Sequence, residues 1–197
     1  MRFLDRAFGY ALLVFSVGGM LGAVAVIAMP FLRQLGSEIL QTRMISPIRA
    51  ASAFGNVAVF LLIFANNSVP VVLSFVYPFI IRTVKWTPPM SRRREFLFMS
   101  LYTVITAFLI GFSALGAPLA IAWALGGLTF VYDLLSSALI HGPLEFALIL
   151  ISVAEPLRLV LESTPSDAHS LRNHLKLLWV CLPGLLLSAA IEVFAKV

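Results

Sequence analysis

Four side chains in the last third of the chain could handle a charge or a metal: Asp133, His141, Glu145 and Glu192. His141 and Glu145 stand four apart, so a helix would set the imidazole and the carboxylate on one face, one turn from each other. Such a pair can turn a nitrogen and an oxygen toward one cation, and Glu192 or Asp133 would complete a nitrogen and oxygen ligand set. The metal reading therefore rests on His141, Glu145 and Glu192, with a divalent ion as the occupant. Two alternatives stand beside it: a structural His141 to Glu145 hydrogen bond with the other acids neutral, and a relay for protons or cations. No cofactor is required by any motif. The His-Glu-x-x-His spacing of a zinc hydrolase, a Gly-rich phosphate loop and a strained serine elbow are all missing, so no catalytic residue is assigned.

These groups sit in an unusual setting. Of 197 residues, 60% are hydrophobic and only 12% are charged, where a soluble domain carries about 25% charged residues. The mean hydropathy is +1.00. Charge-free runs at 7–32, 50–81 and 96–132 each reach the ~20 residues with which a helix crosses a bilayer. The composition excludes an ordinary water-soluble enzyme and predicts an all-α, polytopic membrane bundle forming one domain. The formal charge of +5 is carried at the ends of apolar segments, as interfacial anchors are, so nucleic acid is not an expected partner. The lone cysteine, Cys181, excludes a disulfide within the chain.

Six apolar segments are expected, at about 9–29, 51–81, 96–115, 117–140, 143–161 and 175–195. The first contains Gly18 and Gly22, a small-residue face suited to close helix pairing; Gly184 and Ser188 form another. Residues 33–50 mix charges with apolar side chains and suit a connector at headgroup level. The second segment carries Asn66-Asn67-Ser68-Val69-Pro70 in its middle, and the sequence predicts a helix broken at 66–70, with Asn66 and Asn67 either capping two half-helices or lining a cavity. Segments three and four are predicted to form a hairpin turning at Gly111 to Pro118.

Orientation follows from the basic residues. Arg82, Lys85 and Arg92-Arg93-Arg94 are the densest cluster and should face the cytoplasm. A hairpin in segments three and four then returns His141 and the C-terminus to that same side, leaving the orientation of the N-terminus open. Segment six runs back toward His141, so Glu145 and Glu192 fall in one layer and Asp133 could join them as a polar cluster. Glu155 lies on the same face of segment five, within a sector about 80° wide, yet some four turns from His141. Its neighbour at i+3 is Arg158, and a structural ion pair between them is expected.

The segment order, together with Asn66-Asn67, His141-Gly142-Pro143-Leu144-Glu145 and a closing Ile191-Glu192, resembles the stage II sporulation protein M family. The His-Gly-x-x-Glu element is the most specific part, formed by His141, Gly142 and Glu145. The resemblance implies a multipass protein of a prokaryotic plasma membrane, acting in an assembly with other membrane or cell-envelope proteins. The resulting expectation is a non-enzymatic integral membrane scaffold or assembly subunit, self-associating, whose buried polar cluster fixes helix packing. The alternative is a channel or transporter for a cation, a proton or a small solute that uses the broken helix and the His/Glu cluster. An intramembrane metalloenzyme stands third.

Overall fold

The computed structural model describes residues 2–84, 90–139, 142–162 and 168–194, and every element in it is helical. In order they are α1 (Arg2–Ala28), α2 (Pro30–Leu40), a π-helical turn (Gln41–Ile45), α3 (Ser46–Ser52), α4 (Asn56–Thr83), α5 (Arg92–Ile110), a second π-helical stretch (Gly111–Gly116), α6 (Ala117–Ala138), α7 (Gly142–Glu162) and α8 (Ala168–Phe194). Four helical stretches are long and apolar enough to cross a membrane: Asp5–Ala28, Asn56–Thr83, Arg92–Ser136 and His174–Phe194. The chain is in this sense an α-helical membrane protein.

Local chemistry explains the boundaries. Pro30 cannot continue the hydrogen-bond ladder of α1, and Met29 before it is extended (φ −117, ψ 102), as a residue preceding proline tends to be. Arg33 then folds back and donates to the Ile27 carbonyl at 3.3 Å, covering one of the orphan acceptors at the end of α1. Gly55, at φ 92, separates α3 from α4, a conformation open to glycine alone without strain. Ser91 caps α5 by accepting from the Arg94 amide at 3.4 Å.

Two expectations about backbone shape are corrected. First, α4 is one continuous helix through 66–70. Pro70 removes a single donor, while the Ser68 and Ser74 hydroxyls turn back onto the Phe64 and Pro70 carbonyls, each at 2.7 Å, and α7 and α8 pack along the helix. Asn66 is exposed and Asn67 half-buried. Second, the chain does not turn at Gly111 to Pro118. The wider π-helical ring there accommodates the donor that Pro118 lacks, as π-bulges can, and the helix continues into α6. The backbone departs from helical geometry at Gly127 instead (φ 63, ψ −148).

That displacement changes the direction of everything after it. Gly18 faces Phe108 and Gly22 faces Phe112, so α1 and α5 run in the same direction. Phe15 meets Phe146, and the floor of one groove joins Ala7 to Leu157, so α7 runs against them. Arg82 reaches Glu95 while Phe60 meets Phe194, which sets α4 against both α5 and α8. The starts of α1, α5 and α8 and the ends of α4 and α7 therefore share one end of the bundle, rich in arginine. Glu145 and the C-terminal end of α8 lie at the opposite end. The expectation that they share a side with the arginine cluster is overturned, because it depended on the hairpin at Gly111 to Pro118.

The core sits around α7, which packs on α1, α4, α5 and α8 and buries Ile149, Leu150, Val153, Ala154, Leu157, Leu159 and Val160. The glycine face of α1 is consumed inside the chain. A Cβ at Gly111 would overlap the Phe15 carbonyl oxygen, and one at Gly116 would overlap that of Gly19. Gly184 likewise packs on Leu148. These small-residue faces join helices of one chain, so they no longer argue for contact between copies.

Candidate functional site

The densest buried polar constellation lies at the arginine-rich end, where α7 passes between α4 and α8. Glu155, with no exposed surface, accepts from Arg158 Nε at 2.6 Å and again from Arg158 Nη2. The i, i+3 spacing on one helix makes this bidentate pairing a local event. Arg158 Nη1 also holds Glu162. The same Glu155 carboxylate faces Nδ1 of His174 from α8 at 3.0 Å, and the Nε2 of that ring faces the Phe75 carbonyl of α4 at 3.2 Å. Both imidazole nitrogens therefore meet acceptors. A neutral ring can donate to only one of them, whereas a doubly protonated ring donates to both. Phe75 covers the imidazole, with ring centroids 4.7 Å apart.

A second buried pair lies beside it. Arg82 Nε donates to Glu95 Oε1 at 2.6 Å, with side-chain exposures of 3% and 2%, and Arg82 Nη2 approaches the Leu159 carbonyl at 3.5 Å. Further polar ties run between the same helices: Thr103 donates to the Val153 carbonyl at 3.0 Å, and the Ser74 and Tyr102 hydroxyls lie 3.1 Å apart. In all, α4, α5, α7 and α8 are cross-linked by charged or polar side chains at one end. In low dielectric a charge is tolerated only when paired in this manner.

The opposite end holds the residues singled out by spacing. Glu145 on α7 and Glu192 on α8 are both half-buried, and their carboxylates are close enough to repel one another. Asp133 is exposed on the part of α6 beyond the kink at Gly127 and stands apart from any buried cluster. His141 lies outside the described residues. Among the described residues no three His, Cys, Asp or Glu side chains converge on a point that could hold a metal.

No family model, curated protein or solved structure matches this chain. The site must therefore be read from its own geometry. The expected pair Glu155 and Arg158 is present as an ion pair, but it belongs to a larger network whose other members, His174, Arg82 and Glu95, lack any motif spacing. Their signal is positional. Glu155 and His174 are almost equidistant from the middle of the α7 to α8 connection, as Arg82 and Glu95 are from that between α4 and α5. Antiparallel helices joined by a short connection bring such residues level with one another.

Proposed function

We propose that this protein is a non-enzymatic membrane scaffold or assembly subunit, in keeping with the resemblance to the stage II sporulation protein M family. The supporting observation is the use made of its buried charges. Glu155, Arg158, His174, Arg82 and Glu95 are turned onto one another and onto main-chain carbonyls of neighbouring helices, which fixes the packing of the bundle. The partners this reading implies are the lipid bilayer, further copies of the chain and other membrane or envelope proteins of a prokaryotic plasma membrane.

One observation favours a second reading. Glu145 and Glu192 place two like charges in range of each other, half-buried on facing helices, an arrangement that a cation or a proton would relieve. Reconstituted vesicles separate the two readings. A scaffold passes protons and potassium no faster than empty vesicles, and two differently tagged copies expressed together co-purify from mild detergent. A flux abolished by the paired change Glu145→Gln and Glu192→Gln would replace the scaffold with a transporter.

The bundle also proposes an orientation. Arg6, Arg82, Arg92, Arg93, Arg94, Arg158 and Lys176 gather at one end, while Arg33 and Arg49 belong to the connector at the other. By the excess of basic residues we propose that the first end is cytoplasmic, with the C-terminal end of α8 across the membrane from it. Single cysteines introduced in a Cys181→Ser background test this with a membrane-impermeant thiol reagent. Gln34→Cys should be labelled in intact cells and Arg93→Cys only after lysis; the reverse pattern would invert the assignment.

A further inference from the structure

A groove of about 400 Å³ opens between α1, α5 and α7 at the arginine-rich end, lined by Arg6, Ala7, Tyr10, Phe96, Ser100, Leu157 and Leu161. We infer that it is a binding site for one anionic phospholipid, which lays an acyl chain along Leu157 and Leu161 and brings its phosphate to Arg6. This goes beyond the scaffold reading and does not depend on it.

Three observations carry the assignment. The volume falls in the range of ligand sites, about 300–1,000 Å³, and the deeper walls, Ala7 and Leu157, are 1% and 7% exposed and apolar. Hydrocarbon therefore suits the interior. The rim is different. Tyr10 and Phe96 are 44% and 45% exposed; Tyr10 joins an apolar ring to a hydroxyl and is of the type that settles at headgroup level, and Arg6 stands beside it with a guanidinium able to hold a phosphate through two parallel N–H bonds. Finally, the Ser100 hydroxyl oxygen is buried in the wall and has no hydrogen-bond partner. A glycerol-ester carbonyl below the phosphate would accept its proton and remove that deficit.

The charge at this end selects the sign of the headgroup. Arg92, Arg93 and Arg94 are exposed on the first turn of α5, next to Phe96. Asp5, the nearest acid in sequence, projects about 100° around α1 from Arg6. A zwitterionic headgroup would leave this positive excess unanswered, whereas an anionic one meets it.

Native mass spectrometry of the full chain in detergent tests the proposal, with phosphatidylglycerol and phosphatidylcholine of identical acyl chains as probes. One saturable phosphatidylglycerol site is expected, at least about fivefold tighter than for phosphatidylcholine, and Arg6→Gln should erase that preference. Ser100→Phe, which fills the groove, should weaken both lipids, while Arg33→Gln at the far end should change neither. Soluble glycerophosphoglycerol should not compete at concentrations equal to the lipid. Should Ser100→Phe fail to fold, Arg6→Gln decides alone, since its side chain lies at the exposed rim. Equal binding of the two lipids, an unchanged preference in Arg6→Gln, or full competition by the soluble headgroup would each overturn the assignment.

Discussion

Replacing Arg158 by leucine is expected to cost about 3–5 kcal/mol of stability, the usual penalty for leaving a buried ion without its partner. Glu155 has no contact with solvent, and Arg158 supplies two of the bonds to its carboxylate. Without the arginine, only His174 remains to neutralise it, and only while that ring carries a proton. Removing both charges together, as Arg158→Leu with Glu155→Leu, should recover much of the loss, because hydrophobic replacement of a whole buried pair is often neutral. Thermal unfolding in detergent reads both. A double variant no more stable than Arg158→Leu would show that packing, and not the stranded carboxylate, sets the penalty.

An equally large effect is expected at Gly116. Valine there would drive its Cβ into the carbonyl oxygen of Gly19 and to 2.8 Å from the Ala23 amide nitrogen. Both obstacles are main chain, so no rotamer change relieves them and α1 must move away. The expected loss is about 3 kcal/mol or more, the upper part of the range for overpacked cores. Gly9 on the same helix has no neighbour within 4 Å of an added Cβ, and Gly9→Ala should be neutral or stabilising by about 0.5–1 kcal/mol through helix propensity. Measuring the yield of monodisperse protein for the two variants separates steric exclusion at this contact from a general intolerance of glycine replacement in the helices that form it. Similar losses in both would remove the close-contact account.

The membrane-helical class was legible from composition, because long charge-free runs admit few other solutions. The topology was not. Proline marks where a donor is missing, but a π-helical stretch can accommodate that deficit without bending back, as at Pro118, and packing against neighbouring helices can hold a proline-bearing helix continuous, as α7 and α8 do for α4. The residue at which the backbone does leave helical geometry, Gly127, stands next to Gly126 in an apolar run with nothing in its spacing to distinguish it from the helix-pairing glycines at 18 and 22. His141 and Glu145 stand out in the sequence by their i, i+4 spacing, whereas the residues that meet in three dimensions, Glu155 with His174 and Arg82 with Glu95, are related by symmetry about short connections. The local pair Glu155 and Arg158 was visible because it needs only one turn of helix.

The position of α7 has a consequence for biogenesis. The helix on which α1, α4, α5 and α8 all pack is also the one that carries Glu145, Glu155, Arg158 and Glu162. It emerges from the ribosome after α1, α4 and α5 and before α8, which supplies His174. Until α8 arrives, the carboxylate of Glu155 has Arg158 beside it but not the imidazole of His174, so the contact that ties the last two helices together forms only once α8 has been made. The cross-link at the arginine-rich end is accordingly the last to be completed in the order of synthesis.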